Sequence, residues 1–212
     1  MQEMNEEYPG IIELFQNNTI PEAFPPTVNP LDFSMFSPNC NIVDFEELME
    51  RSKFIKLCGY VMITYNWIRP LAAWIGKRKC LEVMCGSGAL SKALQDCGVS
   101  VIATDKDKSW KPWIDIEYID CLEAIEKYGR NIDVLICSWP PFEDNISYDL
   151  LLKIRQVNPE MMMIYIGELG GSTACDEFHN NIIHIDDSAF NKAIENFTQI
   201  HYTIHDYPYL VK

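Results

Sequence analysis

Apolar residues cluster in short blocks at 80–84, 99–104, 132–137 and 161–166, the last two the most continuous. Such blocks mark strands buried on both faces of a parallel sheet. Between them the apolar period lengthens to that of a helix. Leu90, Ala93, Leu94 and Cys97 form one stripe over 89–97, capped by Gly98. Segments 122–128 and 147–157 read as further helices, ended by Gly129 and by Asn158-Pro159. A weaker third strand is expected at 116–119, and a closing antiparallel pair, joined by a tight turn, at 197–205 and 207–211. Alternating strand and helix signals predict an α/β three-layer sandwich around a mostly parallel sheet with a C-terminal antiparallel strand pair.

Upstream the pattern changes. Pro21, Pro25, Pro26, Pro30 and Pro38 interrupt residues 1–42, which read as a Pro- and Asn-rich leader or lid. Its Phe15, Phe24, Phe33 and Phe36 suggest that it lies on the body of the protein. From 43 to 75 apolar residues recur at helical spacing, and two helices are expected there with a break at Arg69-Pro70. Residues 43–212 are therefore read as one domain. Hydrophobic residues make up 48% of the chain, enough for a core and too many for a disordered segment.

The formal charge of −14 sets a repulsive field against phosphate backbones and anionic lipid, so naked nucleic acid is disfavoured as a partner. The basic run Lys77, Arg78 and Lys79 reads as a solvated strand entrance. Eight scattered cysteines without a C-x-x-C pair read as reduced core residues, with no metal site. Asn66, Arg69 and Pro70 inside the most apolar window argue against a membrane span, and the cytoplasm is the expected compartment.

Chemistry concentrates at Glu82-Val83-Met84-Cys85-Gly86-Ser87-Gly88, an acid inside a strand followed by a glycine turn that opens a helix. At the carboxyl end of a strand, glycines without Cβ atoms let a ligand approach bare backbone. Asp105 ends the next strand, 19 residues past Gly86, where a carboxylate accepts ribose hydroxyl protons. Two more motifs follow strands: Ser138-Trp139-Pro140-Pro141-Phe142, whose prolines stiffen a wall, and Gly167-Glu168-Leu169-Gly170-Gly171.

With these residues the sequence resembles the class I S-adenosylmethionine-dependent methyltransferases from about residue 80 onward. With Tyr65-Asn66-Trp67 ahead and Asp176-Glu177-Phe178-His179 behind, it also resembles a little-characterised methyltransferase-like group with Trp-Pro-Pro and Gly-Glu motifs. The resemblance implies a Rossmann-like fold and S-adenosyl-L-methionine as cofactor. It implies that Glu82, Gly86, Ser87 and Gly88 form the cofactor turn, that Asp105 binds ribose, and that Asp120 faces the adenine amine. It places Ser138 and Pro140 on the cofactor side, and Trp139, Glu168 and His179 about the methyl acceptor, with Glu168 or His179 as the base if one is needed. Trp139 stands where amine-methylating members carry Asn or Asp, which argues against base or glutamine amines as acceptors. The acceptor is unidentified, with a small molecule or protein favoured. Two alternatives stay open: a methyltransferase-like binding or regulatory protein without turnover, and a nicotinamide-dependent oxidoreductase, which the acid at Glu82 and Ser91 at the third glycine position disfavour.

Overall fold

The computed structural model describes residues 11–23, 45–142, 144–197 and 205–212, with the side chains of 11 and 45–51 left aside. Four parallel strands and one antiparallel strand form a single sheet in the order β2-β1-β3-β4-β5. They are β1 (Cys80–Val83), β2 (Val101–Thr104), β3 (Val134–Ser138), β4 (Met162–Gly167) and β5 (Tyr207–Val211). β1 pairs with both β2 and β3, Val83 lying level with Thr104 on one side and Cys137 on the other. The chain therefore reverses its direction of winding at β1, and a crevice opens there at the carboxyl edge.

Alternate residues of the strands face two helical layers. Cys80, Val101, Val134, Ile136, Ile164 and Leu210 pack on one face, against α3 (Tyr65–Ile75), α4 (Ala89–Asp96) and α8 (Ser188–Ala193). Leu81, Val83, Leu135, Cys137, Met163 and Tyr165 pack on the other, against α5 (Cys121–Tyr128), α6 (Ile146–Val157) and α7 (Asp176–Asn181). The architecture is the expected α/β sandwich, Rossmann-like with an antiparallel final pair.

Two local expectations are corrected, and a third falls mostly outside the described residues. The break between the upstream helices falls at residues 59–64, between α2 (Phe45–Cys58) and α3, while Pro70 lies inside α3. At the sixth helical position the proline removes only the bond to the Asn66 carbonyl, and burial of Trp67, Ile68, Leu71 and Ile75 on one stripe outweighs that loss. Residues 116–119 do not make a strand: a single parallel bridge links Thr104 and Glu117. The final antiparallel pairing is between β4 and β5; of the strand expected at 197–205, residues 198–204 lie outside the described residues, and Phe197 and His205 are not in a strand.

The sequence reading also missed α1 (Ile11–Gln16), a single turn and a half within the leader. Its Phe15 is fully buried, edge-on to Phe54 at 4.9 Å and 5.8 Å from Trp113. Phe24, Phe33 and Phe36 lie outside the described residues. Phe15→Ala should lower unfolding stability by about 3 kcal/mol, the lower range for a buried ring truncated to a methyl. A change below about 0.5 kcal/mol in a urea titration would show that α1 adds nothing to the body.

Candidate functional site

β1 ends in a turn whose backbone takes unusual shapes. Met84, Gly86 and Gly88 all have positive φ, 52°, 56° and 74°. For the glycines this costs nothing; for Met84 it is a strained conformation of the kind retained at functional sites. The turn is tied on both sides. Gly86 N donates to Asp105 Oδ2 at 2.7 Å, and Asp107 N donates to Asp105 Oδ1 at 2.7 Å. Ser87 is fully buried and its hydroxyl donates to the Cys58 carbonyl at 2.9 Å, so its side chain points into the body and only its backbone remains for a ligand.

Glu82 is buried on the face toward α4, where Ser91 Oγ donates to its Oε2. Desolvation pushes its pKa from 4.5 up to about 7; the Ser91 bonds oppose that rise, and the neighbouring Asp105 adds to it. Asp120 caps α5, accepting from Leu122 N at 2.9 Å, and also meets Lys106 Nζ at 3.3 Å. Met84, Asp105, Lys106, Asp120, Pro141 and Ile146 line one cleft of about 130 Å³. This is the crevice at the reversal of winding, and its three carboxylates, Asp105, Asp120 and Asp144, suit a ligand rich in hydroxyl or amine donors.

Residues 106–116, which replace a crossover helix, run over the glycine turn. The Trp110 ring lies 3.4–3.7 Å from where a Cβ of Gly86 would stand, and Ile114 and Ile116 lie 3.0–3.3 Å from that of Gly88. Trp113 N donates to the Ser87 carbonyl at 2.9 Å, and its indole N–H to the Leu57 carbonyl at 2.8 Å. A Cβ at Gly88 would crowd Ile114 and Ile116, whereas at Gly86 it would meet Trp110 at ordinary contact distance, so there the positive φ is what favours glycine. A larger hollow of about 610 Å³ lies beside Gln95 in the last turn of α4 and Pro112, and it does not join the cleft's carboxylates.

Across the edge, Ser138 is half-buried at the end of β3, Pro140 is buried with its carbonyl accepting from Ala174 N at 3.0 Å, and Trp139 has φ 51°. Glu168 accepts from Ser172 N at 3.0 Å and His205 N at 2.8 Å. Burial would raise its pKa, but these amide bonds outweigh burial and hold it below the ordinary value. A group held ionised in this way is a poor proton acceptor near neutrality and a good anchor. His179, on α7, places Nε2 2.8 Å from the Thr173 carbonyl, so Nε2 carries the proton, and Nδ1 is buried without a hydrogen-bond partner among the described residues. Thr173 also meets Tyr165 Oη at 2.6 Å and receives Glu168 N at 2.8 Å, so these groups brace one loop.

Sequence reasoning missed Tyr60, which stacks on Trp139, and Asp206, which holds its indole nitrogen. Neither follows a strand in a glycine motif, so no local signal marked them. Tyr65, Trp67 and Phe178, singled out in motifs, serve packing: Trp67 and Phe178 are core, and Tyr65 Oη donates to Asp96 at 3.0 Å. The seven described cysteines are all free, six of them buried, and burial pushes the thiol of Cys80 up to about 12. Among the described residues no His, Cys, Asp or Glu cluster could hold a metal, and no helix is long and apolar enough to cross a membrane.

No protein-family model and no curated protein matches the chain. Among solved structures it is similar to a SAM dependent methyltransferase from Archaeoglobus fulgidus, at 14% identity over 80% of this chain and 100% of that chain, with a TM-score of 0.45. Magnesium protoporphyrin IX methyltransferase from Synechocystis PCC 6803, with bound SAM, is similar at 12% identity over 68% and 76% of the two chains, TM-score 0.38. The plantazolicin methyltransferase BpumL, in complex with a pentazolic desmethylPZN analog and SAH, is similar at 11% identity over 76% and 59%, TM-score 0.35. Functional assignment rests on the residues of the site.

Glu82 makes stability depend on pH. Its folded pKa of about 7 exceeds the ordinary 4.5, so between these values the folded state holds the extra proton. The sign follows: stability falls as pH rises through this window, and the full penalty is present above it. Glu82→Gln should flatten that decline, on the order of 3 kcal/mol at most. Parallel pH profiles of urea unfolding for the two proteins would refute the assignment.

Proposed function

We propose that the chain is an S-adenosylmethionine-dependent methyltransferase whose cofactor lies in the cleft at the carboxyl edge of β1. The observation that carries this reading is the convergence of Met84, which leads into the glycine turn, with Asp105, Asp120 and Pro141 on one crevice at the reversal of winding. The residues fit the cofactor chemically. Each oxygen of Asp105 keeps acceptor capacity beyond its one amide bond, which suits ribose hydroxyls, and Asp120 suits the adenine amine. The cleft is about 130 Å³ against the 300 Å³ or more of ordinary ligand pockets, so a ligand of the cofactor's size would extend beyond it.

When bound, the cofactor supplies a methyl group on a sulfonium, whose departure as a neutral thioether needs no acid. The chain's own residues then have the task of alignment, which can lower a barrier by about 7–11 kcal/mol. Gly86 and Gly88 present backbone to the cofactor, Asp105 orients the ribose, and the Trp139–Pro140–Pro141 wall limits the acceptor's approach. Glu168 and His179, expected as bases, enter this reading as residues that hold the loop after β4. The acceptor is a small molecule or protein in keeping with the negative surface, and the protein acts in the cytoplasm.

One observation favours a second reading, a binding protein without turnover: the Trp110 ring stands close over the turn, 3.4 Å from where a Cβ of Gly86 would be. Ligand-dependent melting separates the readings. S-adenosylhomocysteine at about a hundred times its Kd should stabilise the fold by about 2.7 kcal/mol, raising Tm by roughly 5–10 °C. NAD and NADP should give no shift. Asp105→Asn should weaken binding by about 1.5–3 kcal/mol, ten- to more than a hundredfold, through the lost charge-assisted bonds. No shift at millimolar ligand would overturn the cofactor assignment. Binding without labelled methyl transfer to any component of a cell extract would favour the second reading.

A further inference from the structure

Two buried carboxylates flank the glycine turn, and among the described residues neither has a counter-ion. Glu82 on β1 is 2% exposed, and Asp105, just past the end of the neighbouring β2, is 7% exposed. Ala103 stands level with Glu82, Asp105 follows two residues further along, and Gly86 N ties the turn to it by donating to its Oδ2 at 2.7 Å. The lysines nearest in the fold are engaged with other acids: Lys92 with Asp96, and Lys106 with Asp120. Burying one unpaired carboxylate is costly, and burying two as neighbours disfavours both being charged.

The two acids are not held alike. Asp105 accepts backbone amides on both oxygens, from Gly86 and Asp107, and it lines the cleft. Glu82 faces α4, where Ser91 bonds it through its hydroxyl and its backbone N–H. Burial pushes Glu82 up to about 7; the Ser91 bonds oppose that rise, and the charge of Asp105 adds to it. The other titratable groups about Glu82 are thiols, those of Cys80 and Cys85 on its own segment and of Cys137 on β3, all kept neutral by burial. Lys92 of α4 and Tyr65 of α3 are engaged with Asp96, and Arg69 of α3 with Glu22. Among the described residues Asp105 is therefore the charge that acts on Glu82, and a ligand in the cleft reaches it.

We infer that Glu82 makes the cleft a proton-linked site: the acid holds a proton while Asp105 stands without a cation, and releases it to solvent when a positively charged ligand settles beside Asp105. Only the carboxyl O–H bond breaks, and the ligand's charge takes the place of the proton's. The sign follows from linkage. The occupied cleft favours the ionised acid, so the cation binds more tightly as pH rises through neutrality, and the gain levels off above it. A neutral ligand that only donates hydroxyl protons to Asp105 gains much less. Taking S-adenosylmethionine as the cation rests on the transferase reading; the two unpaired acids do not.

The test uses the full chain. Calorimetric titrations from about pH 6 to about pH 8, in buffers of unlike ionisation enthalpy, compare S-adenosylmethionine with S-adenosylhomocysteine, which keeps the ribose hydroxyls and lacks the sulfonium charge. S-adenosylmethionine should bind about threefold or more tightly at the upper pH and release part of a proton near neutrality, whereas S-adenosylhomocysteine should change by less than about twofold. Glu82→Gln should abolish this difference between the two ligands. Ser91→Ala leaves the cleft lining untouched but removes a bond to the charged acid, so it should move the rise to higher pH. In infrared difference spectra below neutrality, S-adenosylmethionine should erase a protonated-carboxyl band that Glu82→Gln lacks. Binding with the same pH profile in Glu82→Gln as in the unaltered chain overturns the proton link and leaves the transferase reading standing. Should Glu82→Gln not fold, an unmoved profile in Ser91→Ala, or a carboxyl band that survives binding, decides equally against it. Binding of neither nucleoside at any pH removes the transferase reading and the proton link together.

Discussion

β1 runs parallel between β2 and β3, and its register sets Val83, Thr104 and Cys137 at one level. Because all three strands then release their chain at the same edge, the short carboxylate of Asp105 reaches the Gly86 amide. A register slip of one residue would reverse the faces of the strand, sending Glu82 toward the α5 layer and away from Ser91. The position of the turn, the burial of Glu82 and the direction in which Asp105 points are thus one constraint seen at three places. The cleft is a product of the same alignment, since its lining comes from segments that follow β1, β2 and β3.

Much of this was legible in the sequence because burial on both faces leaves a strong signature. β3 and β4 are unbroken apolar runs, and β1 admits a single charged residue, which the motif itself marks as special. α4 to α6 announce themselves through stripe and cap. Where the reading failed, tertiary context outweighed a local rule. Pro70 looks like a breaker, yet its helix is held by a buried stripe; 116–119 looks like a strand, yet earns only one bridge at the sheet's edge. α1 is too short for any periodicity to show.

The site was half legible, and for a physical reason. Residues that shape the backbone, such as Gly86 and Gly88 with their positive φ, carry their geometry in their identity. Residues that work through contact with distant chain, such as Tyr60 on Trp139 or Asp206 beneath it, carry no mark until the fold brings 60, 139 and 206 together. Glu168 shows the converse. A carboxylate after a strand looks available for proton transfer; two backbone amides, from residues 172 and 205, hold it ionised and tie it to its loop. The covering segment 106–116 shows the same dependence on distant chain: Trp110 stands 3.4 Å from where a Cβ of Gly86 would be, and no local pattern in the sequence brings the two together.

The order of strands across the sheet also differs from the order in which they leave the ribosome. β5 follows every other strand in the chain, yet its partner β4 is complete some forty residues earlier, counted from Gly167 to Tyr207. Until β5 arrives, β4 offers an open row of hydrogen-bonding groups along an apolar strand, the arrangement that invites pairing with another chain. During synthesis the nascent protein is therefore most exposed to mispairing at that edge, and a chaperone acting on it would have its work there, far from the chemistry at the end of β1.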